Sequence, residues 1–206
     1  MRTIILLDGG FIKHKYSQAF SREPSAVDIK NFSEKVRAYN DQGDVLIRIY
    51  FYDSPPLTTK VKKPISGTLL DLSKTPTYLT NKQRLDELKR TDHFAVREGR
   101  LTIKGWKLKQ SAIGKTNAQL TDSDFSLDIQ QKGVDMKIGL DIAWISLNKI
   151  ADRILVVTGD SDFIPAIKLA RRNGIQVYLF TLAHGVSSEL TEHSDRLITT
   201  ALDQLY

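Results

Sequence analysis

The chain has 206 residues, 41% of them hydrophobic, and no cysteine. It is long enough to bury a core without staples, and disulfides, a thiolate zinc site and a cysteine nucleophile are excluded. Its net charge is +6, and between Lys82 and Lys115 ten basic residues face four acidic ones, an excess equal to the whole. Such a patch is an electrostatic footprint for a polyanion, although a solvated face has the same composition. MRTIILLDGG has too short an apolar run for a signal peptide, and no stretch approaches a membrane span. These features predict a soluble, cytoplasmic protein.

Thr3–Leu7, TIILL, predicts a first buried strand ending at Asp8-Gly9-Gly10. Asp8 is either a ligand-bearing residue at the strand's carboxyl end or a turn residue before two glycines. Residues 11–23 are mixed and polar, with Phe11 and Ile12 as packing residues. Pro24 and Ser25 open a helix carrying Val27, Phe32 and Val36, which stops near Gly43. Val45–Tyr52, VLIRIYFY, predicts the next strand, and the alternation argues for a doubly wound α/β architecture.

From residue 54 to about 131 that pattern breaks. Lys60–Pro76 is rich in Thr, Lys and Pro and predicts a surface loop. Thr80 predicts the N-cap of a charged helix over 81–90. Phe94–Arg97 and Leu101–Leu108 flank Glu98-Gly99-Arg100, the pattern of a hairpin. Trp106 lies among Lys104, Lys107 and Lys109. It serves either to stack a base, as in single-strand binders, or to pack under the hairpin. Residues 110–131 read as a polar connection.

The α/β pattern resumes at Lys132-Gly133-Val134-Asp135. The following helix carries Met136, Leu140, Ala143, Leu147 and Ile150, widened by Ile138, Ile142 and Ile145, so it is expected to be largely buried. Asp135 lies in its first turn, where the helix dipole favours a carboxylate. Asp141 lies about 120° further round the axis, one turn after Lys137, and reads as a metal ligand or as a surface ion pair.

Ile154–Phe163, ILVVTGDSDF, organises the rest. An uninterrupted apolar run predicts a strand buried on both faces, ended by Gly159. Asp160 and Asp162 follow at its carboxyl end, where open α/β sheets place their ligands. Two carboxylates so close repel and need a cation to stay ionised together, and hard ions such as Mg²⁺ or Mn²⁺ prefer oxygen donors. The plain alternative is that one of them caps the next helix. Pro165 belongs in that helix's first turn and Gly174 at its end. Ile175–Phe180 predicts another strand, Ser187 or Ser188 caps a short helix, and Leu197-Ile198 a last short strand.

Several motifs fail on inspection. Gly114-Lys115-Thr116 lacks the earlier glycine and the strand of a phosphate loop. Asp122-Ser123-Asp124-Phe125 repeats DSDF without an apolar strand before it. The four histidines share no ligand spacing, and Gly10 stands where a haloacid-type phosphatase wants a second Asp.

LLDGG, KGVDMKIGLD, VVTGDSDF with Pro165 two residues on, and a closing Ser188-x-Leu190…Asp195 together resemble the NYN family of PIN-like nucleases, which includes the bacterial LabA-like proteins. The resemblance covers residues 1–53 and 132–199. It implies a single domain over 1–206 with a three-layer α/β fold. A central, mainly parallel sheet would carry a basic, hairpin-containing insertion at about 54–131. It implies that Asp8, Asp135, Asp160 and Asp162 are catalytic and bind Mg²⁺ or Mn²⁺, with Asp141 a further metal position and Lys132 the lysine ahead of the helical acid. Lys132, Arg97, Arg100, Lys104, Trp106, Lys107 and Lys109 would then contact nucleic acid.

The expected activity is a metal-dependent ribonuclease on single-stranded or loop RNA. Many relatives have an asparagine three residues after the first Asp, where this chain has Phe11. That departure motivates the alternative of a non-catalytic RNA-binding module on the same fold. A small-molecule phosphohydrolase is a third reading, against which the basic excess argues. A homodimer is permitted but not specified.

Overall fold

The computed structural model describes residues 1–39 and 43–205. Its first half contains β1 (Arg2–Asp8), α1 (Gly9–Phe20), α2 (Ala26–Ala38), β2 (Val45–Asp53), β3 (Lys60–Lys62), β4 (Leu69–Asp71), α3 (Pro76–Leu88) and β5 (Phe94–Glu98). Then come β6 (Arg100–Leu108), β7 (Phe125–Lys132), α4 (Val134–Leu147), β8 (Arg153–Val157), α5 (Ile164–Arg172), β9 (Gln176–Phe180), α6 (Ser188–Glu192) and β10 (Arg196–Ile198). Six strands form one sheet in the order β10-β9-β8-β1-β2-β5, with every neighbouring pair parallel. β3 with β4, and β6 with β7, form two separate antiparallel ribbons.

The apolar runs of β1 and β8 follow from burial on both faces. Ile5 and Leu7 enter one core with Leu155 and Val157, beneath Ile12 of α1, Phe32 and Val36 of α2, and Leu85 and Leu88 of α3. Ile4 and Leu6 enter the other with Ile154 and Val156, beneath Ile138, Ile142 and Ile145 of α4 and Ile167 and Ala170 of α5. The result is a three-layer sandwich. From β1 the chain winds through β2 to β5 at one edge, then returns to β8 and winds through β9 to β10 at the other. Its direction therefore reverses between β1 and β8, and the crevice outside their carboxyl ends is where such sheets bind ligands.

Local signals fix the helix starts. Ser25 caps α2 through a reciprocal box in which Ser25 Oγ accepts from Asp28 N–H and Asp28 Oδ2 accepts from Ser25 N–H. Ser25→Ala should therefore cost about 1 kcal/mol, read as a lowered denaturant midpoint with an unchanged slope. Gly133 enters α4 with φ +79°, a left-handed turn that a side chain would strain.

The insertion departs from expectation. Phe94–Arg97 and Leu101–Leu108 do not pair as a hairpin: β5 lies parallel to β2, while β6 turns away to pair with β7. Gly99 is needed for close approach instead, since a Cβ there would lie 2.6 Å from Val134 Cγ2 and 2.8 Å from Ser54 Oγ. The polar connection of 110–131 contains most of β7, and the surface loop of 60–76 contains β3 and β4. α3 starts at Pro76 behind its cap Thr75, five residues before Thr80. Residues 11–23 hold most of α1. Since α3 and β5 belong to the main layers, the segment from 54 to 131 is not wholly an insertion. α4 is the other departure. Its inner face is buried, but Met136, Leu140, Trp144 and Leu147 are exposed.

Candidate active site

β1 and β8 lie side by side, so their ends meet. The half-buried carboxylate of Asp8 caps α1, with Oδ1 accepting from Phe11 N–H at 3.1 Å. Its Oδ2 accepts from Thr158 Oγ at 3.2 Å, and the same hydroxyl accepts from Asp160 N–H at 3.2 Å. Thr158 thus ties the two acidic strand ends together. Asp160 in turn caps the short 3₁₀ turn Ser161–Phe163, its Oδ1 accepting from Asp162 N–H at 2.9 Å. The capping role expected of one of this pair belongs to Asp160, and Asp162 is exposed beside it.

Asp135 reaches the same edge from the first turn of α4. Although Asp135 is exposed, partial desolvation raises its carboxyl above the ordinary carboxylate range, and the negative charges of Asp160 and Asp162 raise it further. Asp8 is raised chiefly by burial and also by Asp135, while its hydrogen bonds from Phe11 and Thr158 oppose the shift. Asp135 thus feels the charges of Asp160 and Asp162, and Asp8 feels that of Asp135. As placed, no three carboxylate or imidazole groups among the described residues approach closely enough to hold an ion. The donor chemistry suits a hard divalent cation, since repelling oxygen donors gain most from one. The spacing would have to close around it.

Other residues at this edge escaped the sequence reading. Asp53 ends β2 buried, paired with Lys13 Nζ at 2.8 Å and accepting from Ser54 N–H. It repeats the grammar of an apolar strand ending in Asp, which was the available signal. Gly9 sits against this strand end, where a Cβ would come 2.5 Å from the Tyr52 carbonyl oxygen. Gln131 of β7 approaches Gly10 beside Asp8. His184 lies against Gly159, and its ring meets that of Phe11 edge-on at 5.6 Å between centroids. No sequence spacing relates His184 to Phe11.

Asp141 and Arg97 depart from their expected roles. Asp141 is buried on α4, and its carboxylate is taken up by Arg97 Nε at 2.8 Å, by the same guanidinium's second nitrogen, and by Tyr52 O–H at 2.9 Å. The partner foreseen for it, Lys137, instead donates to the Glu98 carbonyl. Arg97 lies over the Tyr50 ring as well, so it is held by the fold. Of the other basic residues, Arg100, Lys104 and Lys132 are exposed with no ion pair among the described residues. Lys107 pairs at 3.7 Å with Asp128 and Lys109 donates to the Ser123 carbonyl. Trp106 is half-buried and donates its indole N–H to the Lys62 carbonyl at 2.9 Å. It walls a cavity of about 440 Å³ between the ribbons and α3.

Comparison with known proteins agrees with this architecture. The NYN domain family matches residues 2–203. The chain is also similar to an uncharacterized protein of Methanocaldococcus jannaschii, 31% identical over 91 residues, which is 44% of this chain and 38% of that relative. No helix among the described residues is long and apolar enough to cross a membrane.

Proposed function

The chain belongs to the NYN family of PIN-like nucleases, and from that premise we propose that it is a divalent-metal-dependent ribonuclease acting on single-stranded or loop RNA. The observation that supports the proposal is the linkage of Asp8 and Asp160 through Thr158 at the reversal point of the sheet, with Asp160 and Asp162 repelling Asp135 and Asp135 repelling Asp8. These four would hold Mg²⁺ or Mn²⁺. Such an ion supplies a bound water of lowered pKa and neutralises charge on the scissile phosphate. Asp8 is oriented for that task by Phe11 N–H and Thr158, so one carboxylate is fixed before anything binds. Asp160 is fixed by its own cap, whereas Asp135 and Asp162 are exposed and free to close.

An acidic cluster alone repels RNA. Arg100 and Lys104 on β6 and Lys132 at the end of β7 offset that sign along one ribbon, and in this reading they lead the strand toward the acids. Asp141 and Arg97 are left out, because each already satisfies the other.

A second reading, an RNA-binding module without cleavage, is favoured by Phe11, whose ring packs against His184 where many relatives carry an asparagine. Incubating the protein with an end-labelled unstructured RNA separates the two. Cleavage in Mn²⁺ or Mg²⁺ that stops on adding EDTA supports the nuclease. Salt-sensitive binding with intact RNA in every divalent ion supports the module and overturns the enzyme.

A further inference from the structure

α4 is apolar on both sides. Ile138, Ile142 and Ile145 fill the core, yet on the opposite side Met136, Leu140, Trp144 and Leu147 are 71%, 61%, 62% and 60% exposed. A helix apolar all round belongs in an interior, so the outer face lacks its cover. Those exposures amount to roughly 500 Å² of side chain, at the upper end of the patches that monomers leave in water.

The order of the residues says what covers it. Met136, Leu140, Ala143 and Leu147 are spaced four, three and four apart, the a/d seam of two packed helices. The seam is also self-complementary about a point midway between Asp141 and Ile142. There Leu140 and Ala143 are equidistant on either side, and so are Met136 and Leu147. An antiparallel copy of the same helix, turned about that point, sets Leu140 against Ala143 and Met136 against Leu147 twice over, the reciprocity that a twofold interface requires. Large then meets small at the centre. The lysines beside the seam are drawn off it, Lys137 onto the Glu98 carbonyl and Lys149 onto the Asn173 carbonyl, so no free ammonium of α4 lies across it. Two copies would together bury about 1,000 Å², the threshold for a specific interface.

We infer that the protein forms a twofold homodimer through antiparallel packing of α4 on α4 of a second copy. The two Asp135 residues then lie toward opposite ends of the helix pair, about 20 Å apart along it by the helical rise.

Light-scattering mass of the purified chain, with Leu140→Asp as the variant, tests this. Wild type should run at twice the chain mass and Leu140→Asp at the single mass, still melting cooperatively and at a temperature lowered only by the lost association, since the side chain lies outside the core. The chain contains no cysteine, so Met136→Cys with Leu147→Cys in one chain should form a disulfide-linked dimer under mild oxidation. Neither single variant should do so. A single-mass wild type up to about 100 µM overturns the proposal. So does a dimer indifferent to Leu140→Asp, or self-linking by Met136→Cys alone, the mark of parallel packing. A monomer whose RNA affinity falls with Leu140→Asp assigns the stripe to nucleic acid and overturns it equally.

Discussion

Asp8→Asn is expected to make the protein more stable and nearly inactive at once. The sign follows from the direction of the Asp8 shift. Burial, and then the charge of Asp135, hold the carboxyl above its unfolded value, so the folded state prefers it protonated. Below the ordinary Asp range both forms are neutral and nothing is lost. As pH rises through that range and the raised folded value, ionising Asp8 costs stability, and at pH 7 the whole penalty is present. Asparagine is neutral at every pH, still accepts from Phe11 N–H, and can donate to the Thr158 hydroxyl. The variant should therefore melt higher than wild type at pH 7, by about 2–4 °C for each kcal/mol relieved. The gap should close below about pH 4. Cleavage should fall by at least about 100-fold, since even groups that merely support a ligand cost 10–100-fold. Millimolar Mn²⁺ should raise the wild-type melting temperature and move the variant far less. A carboxylate that only capped α1 would behave otherwise: its asparagine variant would lose a few tenths of a kcal/mol, with no dependence on pH or Mn²⁺.

That experiment concerns the part of the site the sequence made legible. An apolar run ending in Asp and Gly places the acid at a carboxyl end, and two such runs can be recognised wherever they lie. Hence Asp8 and Asp160, 152 positions apart in the chain, could be put at one edge, as the β1–β8 pairing does. Partners chosen by packing were not legible. FAVRE has the look of a hairpin arm, and only the contacts of Gly99 with Ser54 and Val134 show why β5 lines up on β2 instead. In β7, Phe125, Leu127 and Ile129 alternate as strand residues do, but the polar residues among them masked the period. In α4 a helix apolar on both faces gives no period from which to tell inside from outside, so nothing in the sequence marks its outer stripe as exposed. Asp53 carried the right grammar, yet the lysine paired with this buried acid lies 40 residues away in the chain, at Lys13.

Asp141 is where a pattern match and the packing part company, and a double-mutant cycle with Arg97 decides between them. Its side chain is almost wholly buried and accepts from Arg97 and Tyr52. The pairing holds the Arg97 guanidinium above its ordinary range, and burial beside the carboxylate pushes the Tyr52 phenol well up. Removing only the cation, as in Arg97→Met, strands a charge in the interior. The loss should be about 2–3 kcal/mol, below the 3–5 of a fully buried pair because the guanidinium is 44% exposed. Asp141→Asn should cost about 1 kcal/mol, since the amide oxygen still serves Tyr52. The double variant carries no stranded charge, so it should be more stable than the two losses together predict, with a coupling of about 1–2 kcal/mol by urea titration. Cleavage per folded molecule should stay within a few-fold of wild type in Asp141→Asn, in contrast to Asp8→Asn. If the two variants lose activity alike while the stability coupling vanishes, Asp141 is a ligand after all and Arg97 merely occupies its place.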